Sequence, residues 1–299
     1  EQHKFGVGQR ALLPKKGNNP DVLIMTATPI PRTLAITLYG NLDISVINEL
    51  PAGRIPLKTM HFEQRNIQQA YALAKDELGR CRQAYIIYPV IEESCALDIA
   101  GAKKMFVELK NGEFKNFKLG LIHGQLKTEE QGQVMSKFKN QKLDLLISTT
   151  ILEVGIDIAN ATCMIIESAE RFGLSQLHQL RGRIGRGEFA SVCLLISDCP
   201  SPESVARIKA MVDSNDGFRI SEEDLKIRGP GEFFGQRQHG LAELKIANPL
   251  TQMQLLKVAR EEAINLLKQD TRLEERAHQL LKEKLLQRFP EYEKLMLVG

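Results

Sequence analysis

Between Leu57 and Ser197 the chain alternates short apolar runs with longer stretches in which apolar residues return every three or four positions. The runs Leu57–Phe62, Ala84–Val90, Lys118–Ile122, Leu143–Ser148, Ala161–Glu167 and Ser191–Ser197 are bounded by turn residues and predict strands. Gln64–Leu78, Ala96–Leu109 and Glu129–Phe138, lying between the early runs, predict helices. Strands that alternate with helices imply right-handed βαβ units and a parallel sheet covered on both faces. The run Leu143-Asp144-Leu145-Leu146-Ile147 suits a central strand of such a sheet. Ligands of these folds bind at the carboxyl ends of the strands. The polar motifs described below follow strand-like runs, so all of them are expected at that edge.

The flanks read differently. Val22–Met25 is a short apolar run with the pattern of a buried strand, followed by Thr26-Ala27-Thr28-Pro29-Ile30-Pro31-Arg32 and a predicted helix with Pro31 near its first turn. Glu49–Pro56 is rich in breakers and reads as a linker. After Pro202 the sheet pattern stops. Ser204–Val212 predicts a helix, Arg228–Gln238 a glycine-rich loop, and Thr251–Lys268 and Arg272–Arg288 two amphipathic helices. Leu255, Leu256, Ala259, Ala263, Leu266 and Leu267 recur at helical spacing and predict a packed face.

Composition narrows the function classes. The 299 residues are 43% hydrophobic and 26% charged, an ordinary globular balance. The net charge is only +3, so any nucleic-acid contact must come from local placement of charge. Five scattered cysteines without CxxC spacing read as free thiols, with neither disulfides nor a metal site predicted. No apolar run is long enough for a membrane span, and no signal peptide is visible. The chain opens on Glu1-Gln2-His3 and not on Met, which reads as a chain cut inside a larger protein.

The most distinctive stretch is Gln179-Leu180-Arg181-Gly182-Arg183-Ile184-Gly185-Arg186. Arginine offers a planar fork of donors that stays charged and fits phosphate oxygens. Glycine lets the backbone approach a ligand closely. Three arginines set among glycines behind a glutamine therefore point to a phosphate sensor with arginine fingers; a basic surface turn is the plain alternative.

Four segments resemble motifs of the superfamily 2 helicases, in that family's order. Glu1-Gln2-His3 is similar to the tail of the DExH box and Thr26-Ala27-Thr28 to the motif that couples the first motor domain to nucleic acid. Thr149–Asp157 is similar to the fifth motif and Gln179–Arg186 to the sixth. Met25–Ala35, Ala169–Arg183 and Ser214–Phe218, running on to Arg228–Gly235, resemble the bacterial RecG branch-migration helicases. The last of these blocks is similar to the TRG (translocation in RecG) element, shared with the transcription-repair coupling factor. Leu38–Asp43 and Glu49–Arg54 favour RecG over that factor.

The resemblance implies an α/β fold: a RecA-like parallel sheet with helices on both faces, of the P-loop NTPase type, followed by a helical hairpin and C-terminal helices. Residues 1–50 would be a remnant of the first motor domain, 51–200 the second motor domain, 201–245 the TRG hairpin and loop, and 246–299 a helical tail. Arg183 and Arg186 would reach the γ-phosphate, Glu1 would orient the attacking water, and Gln179, Gly155 and Asp157 would bind the nucleotide. Thr26, Thr28, His123, Thr149 and Thr150 would meet DNA backbone, and Arg207 and Gln238 would couple hydrolysis to movement. His123 reads equally well as an ordinary loop histidine, and Phe233-Phe234 reads as a core anchor in preference to a DNA wedge. The implied cofactors are ATP and Mg²⁺. The implied partners are branched double-stranded DNA and single-stranded DNA-binding protein, in the bacterial cytoplasm at the nucleoid. The chain has no GxxxxGK[ST] phosphate cradle and no Asp before Glu1 to hold Mg²⁺, so hydrolysis by the chain alone is not expected. The alternatives are a translocase of the coupling-factor type and a non-catalytic DNA-binding module with a helicase-like half.

Overall fold

The computed structural model describes residues 55–89, 95–149, 158–235 and 253–288, with Leu23, Met25, residues 45–47 and Glu49. The chain divides into two compact units, Asn48–Ile227 and a second formed by Glu1–Ile47 with Arg228–Gly299.

The first unit is built on β1 (Lys58–Phe62), α1 (Ile67–Gly79), β2 (Gln83–Ile87), α2 (Cys95–Asn111), β3 (Leu119–Ile122), α3 (Thr128–Lys139), β4 (Leu145–Ser148), β5 (Ala161–Ile166), α4 (Leu174–Arg181), β6 (Val192–Ile196), α5 (Pro202–Asp213) and the start of α6 (Gly217–Gly235). The six strands form one sheet in the order β1-β6-β5-β2-β4-β3, and every pairing is parallel. Going from β1 through β2 to β3 the chain crosses the sheet in one direction, and from β3 through β4 and β5 to β6 it returns. Because such crossovers are right-handed, α1 and α2 fall on one face and α3 and α4 on the other.

Alternate strand side chains feed two cores. Tyr85, Ile87, Met164, Ile166, Cys193 and Leu195 meet Phe138 of α3, Leu177 of α4 and Ile208 and Met211 of α5. Ala84, Ile86, Cys163, Ile165, Leu194 and Ile196 meet Ala70, Tyr71, Ala74 and Leu78 of α1 and Leu109 of α2. In α1 those residues fall three or four apart, one stripe on a helix. Strands β2, β4 and β5 are buried throughout, whereas β1 and β3, at the margins, are only partly so. This matches a parallel sheet covered on both sides. Burial at ordinary interior values lifts the Cys193 thiol to about 12 and raises Cys163 further, so both act as apolar core residues.

Three sequence expectations change. Arg228–Gly235, expected as loop, continues α6 despite Gly229, Pro230 and Gly231; local propensity yields here to the helix begun upstream, where Ile220 and Leu225 are buried. Arg272–His278, expected as helix, precedes α8 (Gln279–Arg288) as a run of turns. The cause is Asp270, whose carboxylate accepts from the amides of Glu274 and Glu275 and from His278 Nδ1, each at 2.9 Å. A short carboxylate that satisfies nearby amides competes with the helix. Those contacts also hold Asp270 down at about 2. On α7 (Met253–Gln269) the predicted packed face is not found among the described residues: Leu255 and Leu267 are 50% and 46% exposed, and Leu266 is half-buried.

Candidate functional site

The polar residues of the first unit gather at both edges of its sheet, not at one. At the carboxyl edge β3 ends into His123 and β4 into Thr149, and the Thr149 amide donates to Ile122 O at 3.2 Å, so the two strand ends are stitched together. Both side chains are buried. His123 Nδ1 has no hydrogen-bond partner, and burial with the nearby Lys103 charge lowers its pKa, so the ring is neutral at pH 7. Beside them, the Tyr71 hydroxyl donates to Glu167 Oε1 at 3.0 Å across the interior. Burial raises the Glu167 carboxyl from 4.5 to about 7, and the Tyr71 hydrogen bond only partly opposes this. Burial and the Glu167 charge also raise the Tyr71 and Tyr88 hydroxyls above the ordinary tyrosine range.

The arginine motif lies at the amino edge. Helix α4 leaves the end of β5 and runs back across the sheet, so the turn after it sits where strands begin. Gly185, with φ +72°, lies against Leu57 and Ser191, which precede β1 and β6. A Cβ on Gly187 would collide with the carbonyl of Ala159, just before β5. Arg82, just before β2, stacks its guanidinium 4.4 Å from the Phe189 ring centroid. The expectation that all motif residues occupy the carboxyl edge is therefore corrected. It failed because the motif follows a helix, not a strand.

Within this turn the amides of Gly182 and Arg183 still donate to His178 O and Leu180 O, so Arg183 is held by the tail of the helix. Gln179 and Arg183 are half-buried, and Arg186 is exposed, with Nε donating to Gly182 O at 2.9 Å. Arg181 points the opposite way. It is 4% exposed, and Nη1 faces Thr59 Oγ1 at 3.1 Å, Met211 O at 2.7 Å and Ser214 O at 2.9 Å, while Nη2 donates to His178 Nδ1 at 3.3 Å. Its inward orientation was missed although a signal existed: Leu174, Leu177 and Arg181 fall seven and four residues apart on one helix face.

Arg207, on α5, is half-buried and donates to Glu170 O at 3.0 Å and Phe172 O at 3.2 Å, in the segment that leads into α4. Ser201 caps α5, accepting from the Ser204 amide at 3.2 Å, with Pro202 in the first turn. Glu1, Thr26, Thr28, Thr150, Gly155, Asp157 and Gln238 lie outside the described residues. No helix among the described residues is long and apolar enough to cross a membrane.

A parallel six-stranded sheet with an arginine turn at one edge and a helix pair after the last strand is matched by known families. The helicase conserved C-terminal domain matches residues 69–188, and the C-terminal part of domain 3 of the ATP-dependent DNA helicase RecG matches residues 214–291. The chain belongs to the RecG family. It is 50% identical over 296 residues to the ATP-dependent DNA helicase RecG of Synechocystis sp., covering 99% of this chain and 35% of that protein. With RecG of Bacillus subtilis it shares 47% over 286 residues, covering 96% of this chain and 42% of the relative. A structure of RecG bound to a three-way DNA junction matches with a TM-score of 0.65 and 42% identity, over 86% of this chain and 32% of that one. The chain thus spans between a third and a half of the length of these relatives, and its sheet is the RecA-like C-terminal helicase domain of a RecG-type protein.

Proposed function

We propose that this chain is the C-terminal part of an ATP-dependent translocase that remodels branched DNA such as stalled forks and four-way junctions. The observation that carries the reading is the arginine turn. Arg183 and Arg186 leave a helix end beside a glycine that packs against the segment running from the fifth motif into β5. Stabilising charge on a transferring phosphoryl group is work suited to such forks.

In this reading Arg183 and Arg186 reach the γ-phosphate, while Gln179, Gly155 and Asp157 position the nucleotide. Glu1 orients water, and ATP arrives with Mg²⁺ held mainly by a phosphate-cradling motor half that this sequence does not include. Thr26, Thr28, His123, Thr149 and Thr150 meet DNA backbone, which positions a protein without reading sequence. Arg207 and Gln238 pass motion from the arginine turn to the TRG loop. The domain division at residues 50, 200 and 245, a cytoplasmic site of action and contact with single-stranded DNA-binding protein belong to the same proposal.

The test compares two preparations. The complete protein is expected to show branched-DNA-stimulated ATPase and to unwind a model fork. The chain of residues 1–299 by itself is expected to show neither, because it has no GxxxxGK[ST] cradle. DNA-stimulated turnover by the chain alone, or a complete protein inert towards forks, would refute the proposal.

A further inference from the structure

Three arginines share the motif, and one of them faces the interior. Arg181 lies in the last turn of α4, two residues before Arg183. Its guanidinium is buried, and its hydrogen-bond partners are a hydroxyl, an imidazole nitrogen and the main-chain carbonyls of Met211 and Ser214, with no carboxylate among them. Those carbonyls belong to the C-terminal end of α5 and the turn into α6. A cation suits a helix C-terminus, whose last carbonyls lack amide partners. The same turn is fastened to the sheet by Asn215 Nδ2, which donates to Leu57 O at 2.9 Å. Leu57 is in turn the residue against which Gly185 packs. At the other end of the helix pair, Arg207 of α5 grips Glu170 O and Phe172 O ahead of α4. Helix α4 is therefore tied to α5 both ahead of its first turn, by Arg207, and in its last turn, by Arg181, through arginines running in opposite directions.

We propose that Arg181 is a positioning residue, and not a phosphate ligand, that locks the arginine turn to the α5–α6 pair so that displacement of one carries the other. A buried guanidinium cannot leave its acceptors without stranding a charge, so the α4 tail and the α5 end move together or not at all. The inference rests on the translocase reading above and adds to it the residue that joins the nucleotide sensor to the helices after the sheet.

The test uses the complete protein with Arg181→Lys, which keeps the charge and loses the fork, and Thr59→Val, which removes one acceptor at equal volume. Fork-stimulated ATPase and base pairs unwound are measured on the same preparations. For Arg181→Lys, KM for ATP is expected to hold and base pairs unwound per ATP to fall about tenfold, the equivalent of one charge-assisted hydrogen bond. Thr59→Val should move the same ratio in the same direction by less. A rise in KM together with a collapse of kcat would make Arg181 a phosphate ligand and overturn the inference. So would a parallel fall of ATPase and unwinding, which is what a purely structural role gives. If Arg181→Lys does not fold, an unchanged ratio in Thr59→Val overturns it and a lowered ratio upholds it. A wild type that unwinds no fork overturns the translocase reading and this inference with it. A wild type that unwinds while both variants keep its ratio overturns this inference alone.

Discussion

The two edges of the sheet are built from opposite materials. At the carboxyl edge, His123, Thr149, Glu167 and Tyr71 are buried and set by the strand ends themselves. At the amino edge, half-buried and exposed arginines sit on a turn shaped by Gly185 and Gly187. Desolvation governs the first region, pushing an acid up and a histidine down; the second holds Arg183 half-buried and Arg186 exposed. One sheet thus separates a cluster of buried polar groups from a turn that carries arginines at the surface. In the proposed translocase, such a separation would put nucleotide and DNA on different sides of one domain.

The sharpest way to break this contrast is at Arg183. If the amino edge is the nucleotide side, Arg183→Ala in the complete protein should lower kcat by roughly 10³–10⁵, the range for an arginine finger. Arg183→Lys should not restore it, since an ammonium lacks the planar fork. Near-normal turnover in the lysine variant, read by steady-state ATPase, would leave the turn as a basic surface feature.

The carboxyl edge makes its own prediction through Glu167. Its carboxyl is raised from 4.5 to about 7, so the folded state binds a proton that the unfolded chain releases across that interval. The stabilisation is complete below pH 4.5 and is lost as pH rises through about 7. Relative to Glu167→Gln, which keeps an acceptor for Tyr71, the wild type should lose about 3 kcal/mol of stability over that window. Urea unfolding of both proteins across the interval measures the difference. A constant gap would show that the acid is as well solvated as the arginines opposite.

How much of this was legible beforehand follows from the kind of signal each part leaves. The six strands and the helices between the early ones were visible because fully buried parallel strands are continuous apolar runs. Helix α4 was hidden because it runs into the motif and is short and mostly polar: five of its eight residues are polar, Ser175, Gln176, His178, Gln179 and Arg181. That is also why the arginine turn was expected at the wrong edge. The extension of α6 through Gly229-Pro230-Gly231 and the turns after Asp270 were illegible for opposite reasons. In the first, breakers were overruled by context; in the second, one carboxylate overruled a helical pattern.

Gly187 sharpens the comparison at a smaller scale. An alanine there must displace the backbone of Ala159, not a flexible side-chain tip. Gly187→Ala should cost about 1–3 kcal/mol, the usual price of overpacking. At the same time it should raise KM for ATP, because the arginine turn is pushed away from the segment before β5. The same substitution at Gly120, where the nearest atom is the tip of the Leu143 side chain, should leave KM unchanged. If both variants behaved alike, close packing at the amino edge would have no bearing on the nucleotide.

The smallest expected effect separates the edges by the type of contact each makes with DNA. His123 is neutral at pH 7, held so first by burial and then by Lys103. A neutral ring that touches a phosphate exchanges one hydrogen bond for another and releases no counterion. His123→Ala should therefore weaken fork binding by about threefold to tenfold, the worth of a single neutral hydrogen bond, and leave the slope of log K against log salt where it was. A lysine contact would behave differently, lowering that slope by about one for each phosphate lost. Titrating fork binding at several salt concentrations decides between the two. A reduced slope would mean that the ring is protonated on the DNA, adding a positive charge beside Thr149 at the end of β3. An unchanged affinity would return His123 to the role of an ordinary buried histidine.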